Sequence, residues 1–460
     1  MKKTLHLKRA LRAALLVLLL SAAGVTNVFA QTAFTVGDLI YSVNDDGVSV
    51  TVTGHVNGSS ATGVLNIPET VVYGGDAYSV TDIGIQAFRN CAGLSAVSFP
   101  NTLTVIGQGA FQGCRGLTSI TLPGSLNSVG NHAFSLSNIM ITNFTGTIEQ
   151  WCHISWDGPA SNPIYKSNNL FINGEELIDL VIPETITEIG NYCFQNCESI
   201  RSLVIPNSID SIGVSAFFHC TNITSLNVPN SVSYVGEAAF RSCWGLNEIS
   251  VEEGNPNYDS RENCNALIET HTNTLLVGCN NTFIPDHVSS IDEYSFYCLV
   301  GLTSVIIPSF VNSIGQRAFG GCSGLNSVIS LATAPPTLGE NAFSDISCTT
   351  LTVPCGCAPA YEATEWHDFF PTILEDCTGV VEDMSGLAIV FPNPTSGVVK
   401  IEAEHLRHIS IFNELGQKVF EEQVDGDEME INLGSQEAGV YLICMETANG
   451  IATKRVVVTK

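Results

Sequence analysis

The residues with the most chemical potential in this chain are its sixteen cysteines, ten histidines and 45 acidic side chains. Ser242-Cys243-Trp244 is the most enzyme-like string, because a thiol nucleophile needs a cysteine held beside a general base. Cys243, however, lies three residues after Phe240, and the same offset recurs in Phe88/Cys91, Phe111/Cys114, Phe194/Cys197, Phe217/Cys220 and Phe319/Cys322. A cysteine demanded by a repeat is a packing residue first, since a free thiol packs as a small hydrophobe. His153 beside Cys152 and His219 beside Cys220 hint at metal pairs, yet neighbours on extended backbone point to opposite faces. The acidic loop Val424 to Asn432 lacks the ligand spacing of a calcium hand. Cys348, Cys355, Cys357 and Cys377 cluster near residue 360, where disulfides closing the end of a domain are expected before zinc. No metalloprotease, nucleophile-elbow or phosphate-loop motif is present. The sequence therefore predicts no enzyme, no cofactor and no metal.

The element that positions these residues is a repeat. Phe88, Phe111 and Phe134 are 23 apart, as are Phe194, Phe217 and Phe240, and Phe296 and Phe319; Pro183, Pro206 and Pro229 keep the same step. The shared unit is Ile/Val-Gly-x-x-Ala-Phe-x-x-Cys-x-x-Leu-x-x-Val/Ile-x-Ile/Leu/Val-Pro. Leu117, Ile120 and Leu122 suit a short strand with one buried face, ended by Pro123, which has no N–H to donate to a ladder. Gly107, Gly130, Gly190, Gly213, Gly236 and Gly315 fall where a tight turn is expected, with glycine tolerating unusual backbone angles. One such unit cannot bury its own apolar face, so successive units must stack and share a core. Cys298 is out of step by one.

Two intervals are too long. Phe134 to Phe194 spans 60 residues and Phe240 to Phe296 spans 56, against 46 for two periods, so each gap is read as two turns carrying insertions. The first holds Trp151 and Trp156. The second, "NALIETHTNTLLVGC", reads as a hairpin centred on His271 and Thr272, a register that would set Cys264 opposite Cys279 and allow a disulfide.

The unit closely resembles the BspA-type leucine-rich repeat of bacterial surface proteins over residues 79–376. That resemblance implies a right-handed solenoid with a parallel sheet, on proteins commonly linked to adhesion and to host or matrix contact. Residues 31–78 lack the unit but alternate, with Val48, Val50, Val52 and Val56 on one face, as in a β cap shielding the first turn. Residues 377–386 read as a linker. Beyond them, Phe391-Pro-Asn-Pro-Thr-Ser-Gly397, "ISIFNELGQKVF" and "AGVYLICMETANGIATKRVVVTK" predict a small β-sandwich. Residues 387–460 resemble the C-terminal sorting domain of type IX secretion substrates, which implies that secretion machinery as partner, and frequently removal of the domain with attachment to surface polysaccharide.

Residues 1–30 carry Lys2, Lys3, Lys8, Arg9 and Arg12, then an apolar run, then Val28-Phe29-Ala30, the order of a secretory signal peptide. Removing it leaves 13 cations against 45 acids, a charge of −32, which disfavours nucleic acid. No later run of eighteen apolar residues predicts a membrane span. A protein secreted or held on the outer surface of a Gram-negative bacterium is expected, its partner an extracellular protein or matrix ligand. On the repeat strands Ser119 and Thr121, Ser225 and Asn227, and Glu248 and Ser250 should face outward, with Ser304 and Ser327 in line. This shallow polar ladder suits contact with a protein and serves equally as an ordinary solvated side. Trp151 and Trp156, on a loop, are candidate interface anchors, or plugs for the insertion. Glycan capture for nutrition is the alternative, although the ladder lacks aromatic residues to stack on sugar rings.

Overall fold

The computed structural model describes residues 33–376, 388–393, 395–413, 417–447 and 450–459. The expected signal peptide, the expected linker and Cys377 lie outside the described residues. The chain divides near residue 250 into two compact units.

In the first unit the strands Ala33–Val36, Leu39–Val43 and Ser49–His55 form an antiparallel meander. Ser49–His55 then pairs in parallel with Asp76–Ile83, which starts a row of short parallel rungs at Val105–Ile106, Ser128–Val129 and Ser155–Trp156. Val50 and Val52 are buried, whereas Val56 lies past the strand end and is exposed. A second, wider face carries Thr62–Asn66 beside Gly93–Ser98, Ser119–Leu122 beside Ile141–Phe144 and Leu170–Ile172, and Asp179–Val181 beside Ser202–Val204. Each repeat contributes one strand to each face, and the Phe-Cys arc joins successive turns.

The arc explains the repeated letters. Phe88, Phe111 and Phe134 stack with ring centroids 5.3 and 5.8 Å apart, and Phe194, Phe217 and Phe240 at 5.5 and 5.3 Å. Each ring sits over the next because Phe88 N–H donates to the Ala110 carbonyl and Phe217 N–H to that of Ala239, both at 2.8 Å. Stacked rings bury large areas and add about 0.5–1.5 kcal/mol per pair beyond that burial. The small alanine leaves room for the neighbouring phenylalanine.

The recurring glycine has a different cause from the one expected. Gly107, Gly130, Gly213 and Gly236 do not have positive φ. A Cβ on Gly130 would instead lie 2.4 Å from the Gln108 nitrogen, and one on Gly236 2.5 Å from that of Val214. Glycine is required because backbones of adjacent turns touch there. The left-handed residues sit two places either side of the phenylalanine: Gln86 and Asn90, Gly109 and Gly113, Ser215 and His219, Ala238 and Ser242.

In the second unit the hairpin Ala266–Glu269 with Thr274–Gly278 feeds parallel rungs at Ser290–Ile291, Ser313–Ile314 and Thr337–Leu338. The wider face carries Ser304–Ile307, Ser327–Ser330, Thr350–Pro354 and Thr372–Asp376. Phe296, Phe319 and Phe343 stack at 4.8 and 4.9 Å. Trp366 and Phe370 close that column, and the Tyr361 hydroxyl and Trp366 Nε1 tie the last two short helices to the carbonyls of Ala332 and Pro336.

The C-terminal strands Ala388–Phe391, Val398–Phe412, Lys418–Asn432, Gly439–Thr447 and Gly450–Val458 pair antiparallel. The register of the long hairpin breaks between Glu402 and His408, and Val399, Ile401, Ile409, Ile411, Ile443 and Val456 share one core. Asn393 and Thr395 pin the start of this domain to its last strand. Asn393 donates to the Arg455 carbonyl and accepts from Val457 N–H, and Thr395 N–H donates to the Val457 carbonyl.

Candidate binding face

The cysteines of the repeat slot are engaged in packing contacts. Within the first unit Cys114, Cys220 and Cys243 donate their thiols to the carbonyls of Phe88, Phe194 and Phe217, at 3.1, 3.1 and 3.2 Å, and in the second unit Cys322 donates to Phe296 at 2.9 Å. Each thiol thus satisfies the phenylalanine carbonyl of the turn before it. Burial pushes Cys114, Cys243 and Cys322 up to about 12, the opposite of nucleophile activation. Leu299 fills the cysteine slot where Cys298 is out of step, and Cys298 takes the left-handed position. Ser242 likewise has positive φ, and His219 stands 4.8 Å from the Trp244 ring and 3.5 Å from the Glu198 carboxylate.

The predicted Cys264 to Cys279 disulfide is absent: both are free, buried thiols. The hairpin forms where expected, with Glu269 opposite Thr274, but a bulge between Leu267 and Ile268 shifts the register by one. Cys279 therefore faces residue 265, and its thiol donates to the Asn265 carbonyl at 3.4 Å. At the chain's last repeats Cys355 is disulfide-bonded, while Cys348 and Cys357 are free.

Trp151 and Trp156 are not surface anchors. They are 0% and 4% exposed. Thr147 and Gln150 form a reciprocal cap on the helix Ile148–Cys152, which turns Trp151 inward. There it packs on Phe144 and Trp156, with centroids 5.1 and 4.9 Å away, and donates from Nε1 to the Cys193 carbonyl at 2.9 Å. The tryptophans fill the core where the phenylalanine column is interrupted.

Among the ladder residues, Ser119, Thr121, Ser225 and Asn227 in the first unit are exposed. In the second unit Glu248 and Ser327 are exposed, and Ser250 and Ser304 are half-buried. Sequence reasoning missed the apolar members of this face. Val181 and Val204 are register partners, 60% and 50% exposed, and Ile141, partner of Ser119, is 49% exposed. The signal was there: in "DLVIP" and "SLVIP" strand alternation turns the valine outward while Leu180 and Ile182 face in. Asp179 pairs with Ser202 beside the two valines. Within the first unit the wide face is thus a shallow row of small polar side chains and the Asp179 carboxylate interleaved with exposed β-branched side chains.

Three runs of stacked phenylalanines, glycines at turn contacts and parallel ladders on two faces define a leucine-rich-repeat solenoid, followed by an antiparallel C-terminal domain. Residues 77–155, 166–274 and 274–362 match the BspA type leucine rich repeat region, and residues 389–459 match the secretion system C-terminal sorting domain. The chain belongs to the BspA-type leucine-rich-repeat family. It is similar to a leucine rich cell surface protein of Faecalibacterium prausnitzii, with 22% identity and a TM-score of 0.52 over 76% of this chain and 96% of that one. A leucine-rich repeat protein of Bacteroides ovatus shares 22% identity at a TM-score of 0.37, covering 75% and 99%. The pneumococcal vaccine antigen PcpA shares 17% at 0.42, covering 70% and 82%. No curated protein matches the chain. The family and the sorting domain make this a secreted or cell-surface protein of the Bacteroidetes type, with the type IX machinery as the partner of its C-terminal domain. No catalytic family is among those matched. Among the described residues no helix is long and apolar enough to cross a membrane.

Proposed function

We propose that the chain is an adhesive or binding protein of the cell surface, whose wide strand face holds an extracellular protein or matrix ligand. The observation that carries this reading is the paired exposure of Val181 and Val204 within a row of small polar side chains. Contiguous apolar surface rimmed by polar groups marks contact sites, and a shallow face with short side chains suits broad, wet contact with a protein better than enclosure of a small molecule. The F. prausnitzii relative, itself a cell surface protein by name, supports the same placement. Residues 1–30 are proposed as the export signal, and 377–386 as the linker at which the sorting domain is released.

The test is a pull-down of extracellular and matrix proteins by the mature chain, run beside a glycan array. Saturable capture of a protein without glycan binding is the expected result. Saturable glycan binding with no protein partner overturns the reading in favour of nutrient capture.

A further inference from the structure

The short-strand face of the first unit is interrupted once. Val105–Ile106, Ser128–Val129 and Ser155–Trp156 lie in one sheet, while Glu188–Ile189, Ser211–Ile212 and Tyr234–Val235 form another. The cause is topological. After Leu170–Ile172 the chain doubles back as Glu175–Glu176 and continues into Asp179–Val181, so it never crosses to lay down the rung that would accompany Leu170–Ile172. A slot of about 400 Å³ remains, lined by residues 152–156 on one side and by residues 185–188, Gly190 and Asn191 on the other. This volume falls within the usual range of ligand pockets, about 300–1,000 Å³.

The two walls have opposite polarity. On this face each turn donates its N–H groups to the turn before: Ser155 to the Asn127 carbonyl at 2.8 Å, Asp157 to Val129 at 3.1 Å, and past the slot Asp210 to Thr187 at 2.7 Å and Gly213 to Ile189 at 2.8 Å. By the same pattern the Ile154 and Trp156 carbonyls should accept from a following rung, and the Thr187 and Gly190 N–H groups should donate to a preceding one. Among the described residues these four groups have no backbone partner. The Trp156 indole N–H, on the same wall and buried, is also unpartnered. Glu188 lines the slot with its side chain exposed, Asp157 and Glu184 flank it, and none of the three forms an ion pair among the described residues. Unpaired edges of this kind are templates for a further strand.

We propose that this slot is a strand-insertion site for an extended peptide carrying a lysine or arginine. The peptide lies parallel to Ser155–Trp156 and Glu188–Ile189. Its N–H groups donate to Ile154 and Trp156, its carbonyls accept from Thr187 and Gly190, and its cation meets Glu188. The site is separate from the wide face, so either can fail without the other.

The mature full-length protein is titrated with acetyl-Ser-Val-Lys-Val-Ser-amide and followed by residue-resolved hydrogen exchange. In the free protein the Thr187 and Gly190 amides should exchange at least 100-fold faster than those of Asp210 and Gly213, and saturating peptide should slow them at least tenfold. N-methylation of the peptide's central amides should weaken binding at least tenfold. Glu188→Lys should switch the preference to the peptide with glutamate in place of lysine, while Val181→Lys leaves the titration unchanged. Amides of Thr187 and Gly190 already slow in the free protein, no protection at millimolar peptide, or equal binding of the N-methylated peptide would each overturn the proposal.

Discussion

The repeated glycine offers a controlled experiment, because one sequence position occurs in two surroundings. At Gly213 an added Cβ lies 2.6 Å from the Asn191 nitrogen and 2.7 Å from the Gly190 carbonyl carbon, where ordinary contact begins at 3.4 Å. Relieving 2.6 to 3.4 Å opens adjacent turns by about 0.8 Å, which strains the 2.8 Å bonds from Gly213 N–H to Ile189 and from Val214 N–H to Asn191 Oδ1. Overpacking costs about 1–3 kcal/mol and each of the two weakened hydrogen bonds about 0.5–1.5 kcal/mol, so Gly213→Ala should destabilise its turn by about 2–6 kcal/mol. At Gly190, on the slot, the nearest atom to an added Cβ is the Cys152 oxygen at 3.9 Å. There Gly190→Ala should be neutral or stabilising by about 0.4–1 kcal/mol, because alanine narrows the unfolded ensemble. A difference of about 3 kcal/mol is roughly 100-fold in exchange protection, measurable at the Phe194, Phe217 and Gly236 amides in the full mature chain. Equal losses from the two substitutions would refute the close-contact explanation of the glycines.

Other consequences follow from the same contacts. Phe217→Ala, which empties a fully buried site between two stacked rings, should cost about 3–5 kcal/mol, read as lost exchange protection in the turns on either side; a loss confined to residue 217's own turn would count against stacking. A thiol reagent should label Cys298 and Cys357, which are partly exposed, and leave Cys114, Cys220, Cys243 and Cys322 unmodified until the protein unfolds. The buried thiols of Cys114, Cys243 and Cys322 stay protonated in the fold up to about 12 while unfolded thiols ionise near 9.0, so their contribution is complete below pH 9 and falls as pH rises toward 12. Cys114→Val should flatten that decline, and an unaltered pH profile would contradict it. Cys264→Ser should leave non-reducing gel mobility unchanged, because Cys264 is unpaired.

The periodic part of the fold was legible because each repeated letter answers the same contact in the regular turns: phenylalanine over phenylalanine, thiol to carbonyl, proline at a strand end. Periodicity shows where glycine is needed without showing why, and the close backbone approach that excludes a Cβ is a relation between turns that no single turn displays. The insertions were harder, since Trp151 and Trp156 have no counterpart one period away to reveal their side. Thr147 and Gln150 could have helped, as a capping box before an apolar turn announces a helix and hence a face to bury. The bulge at Leu267 and Ile268, which separates Cys264 from Cys279, leaves no mark in the string. The slot was equally hidden: the residues in excess of two periods between Phe134 and Phe194 read as a loop insertion whether or not the chain crosses to lay down a rung.

The most direct measurement is ligand capture by the Val181→Lys/Val204→Lys protein, compared with the unchanged chain and with Trp151→Phe. The wide-face account predicts that the two lysines abolish capture of the extracellular partner while exchange protection of the Phe194 and Phe217 amides persists, and that Trp151→Phe binds as before. Capture that survives both lysines, or that is lost only when the buried tryptophan is changed, would contradict it.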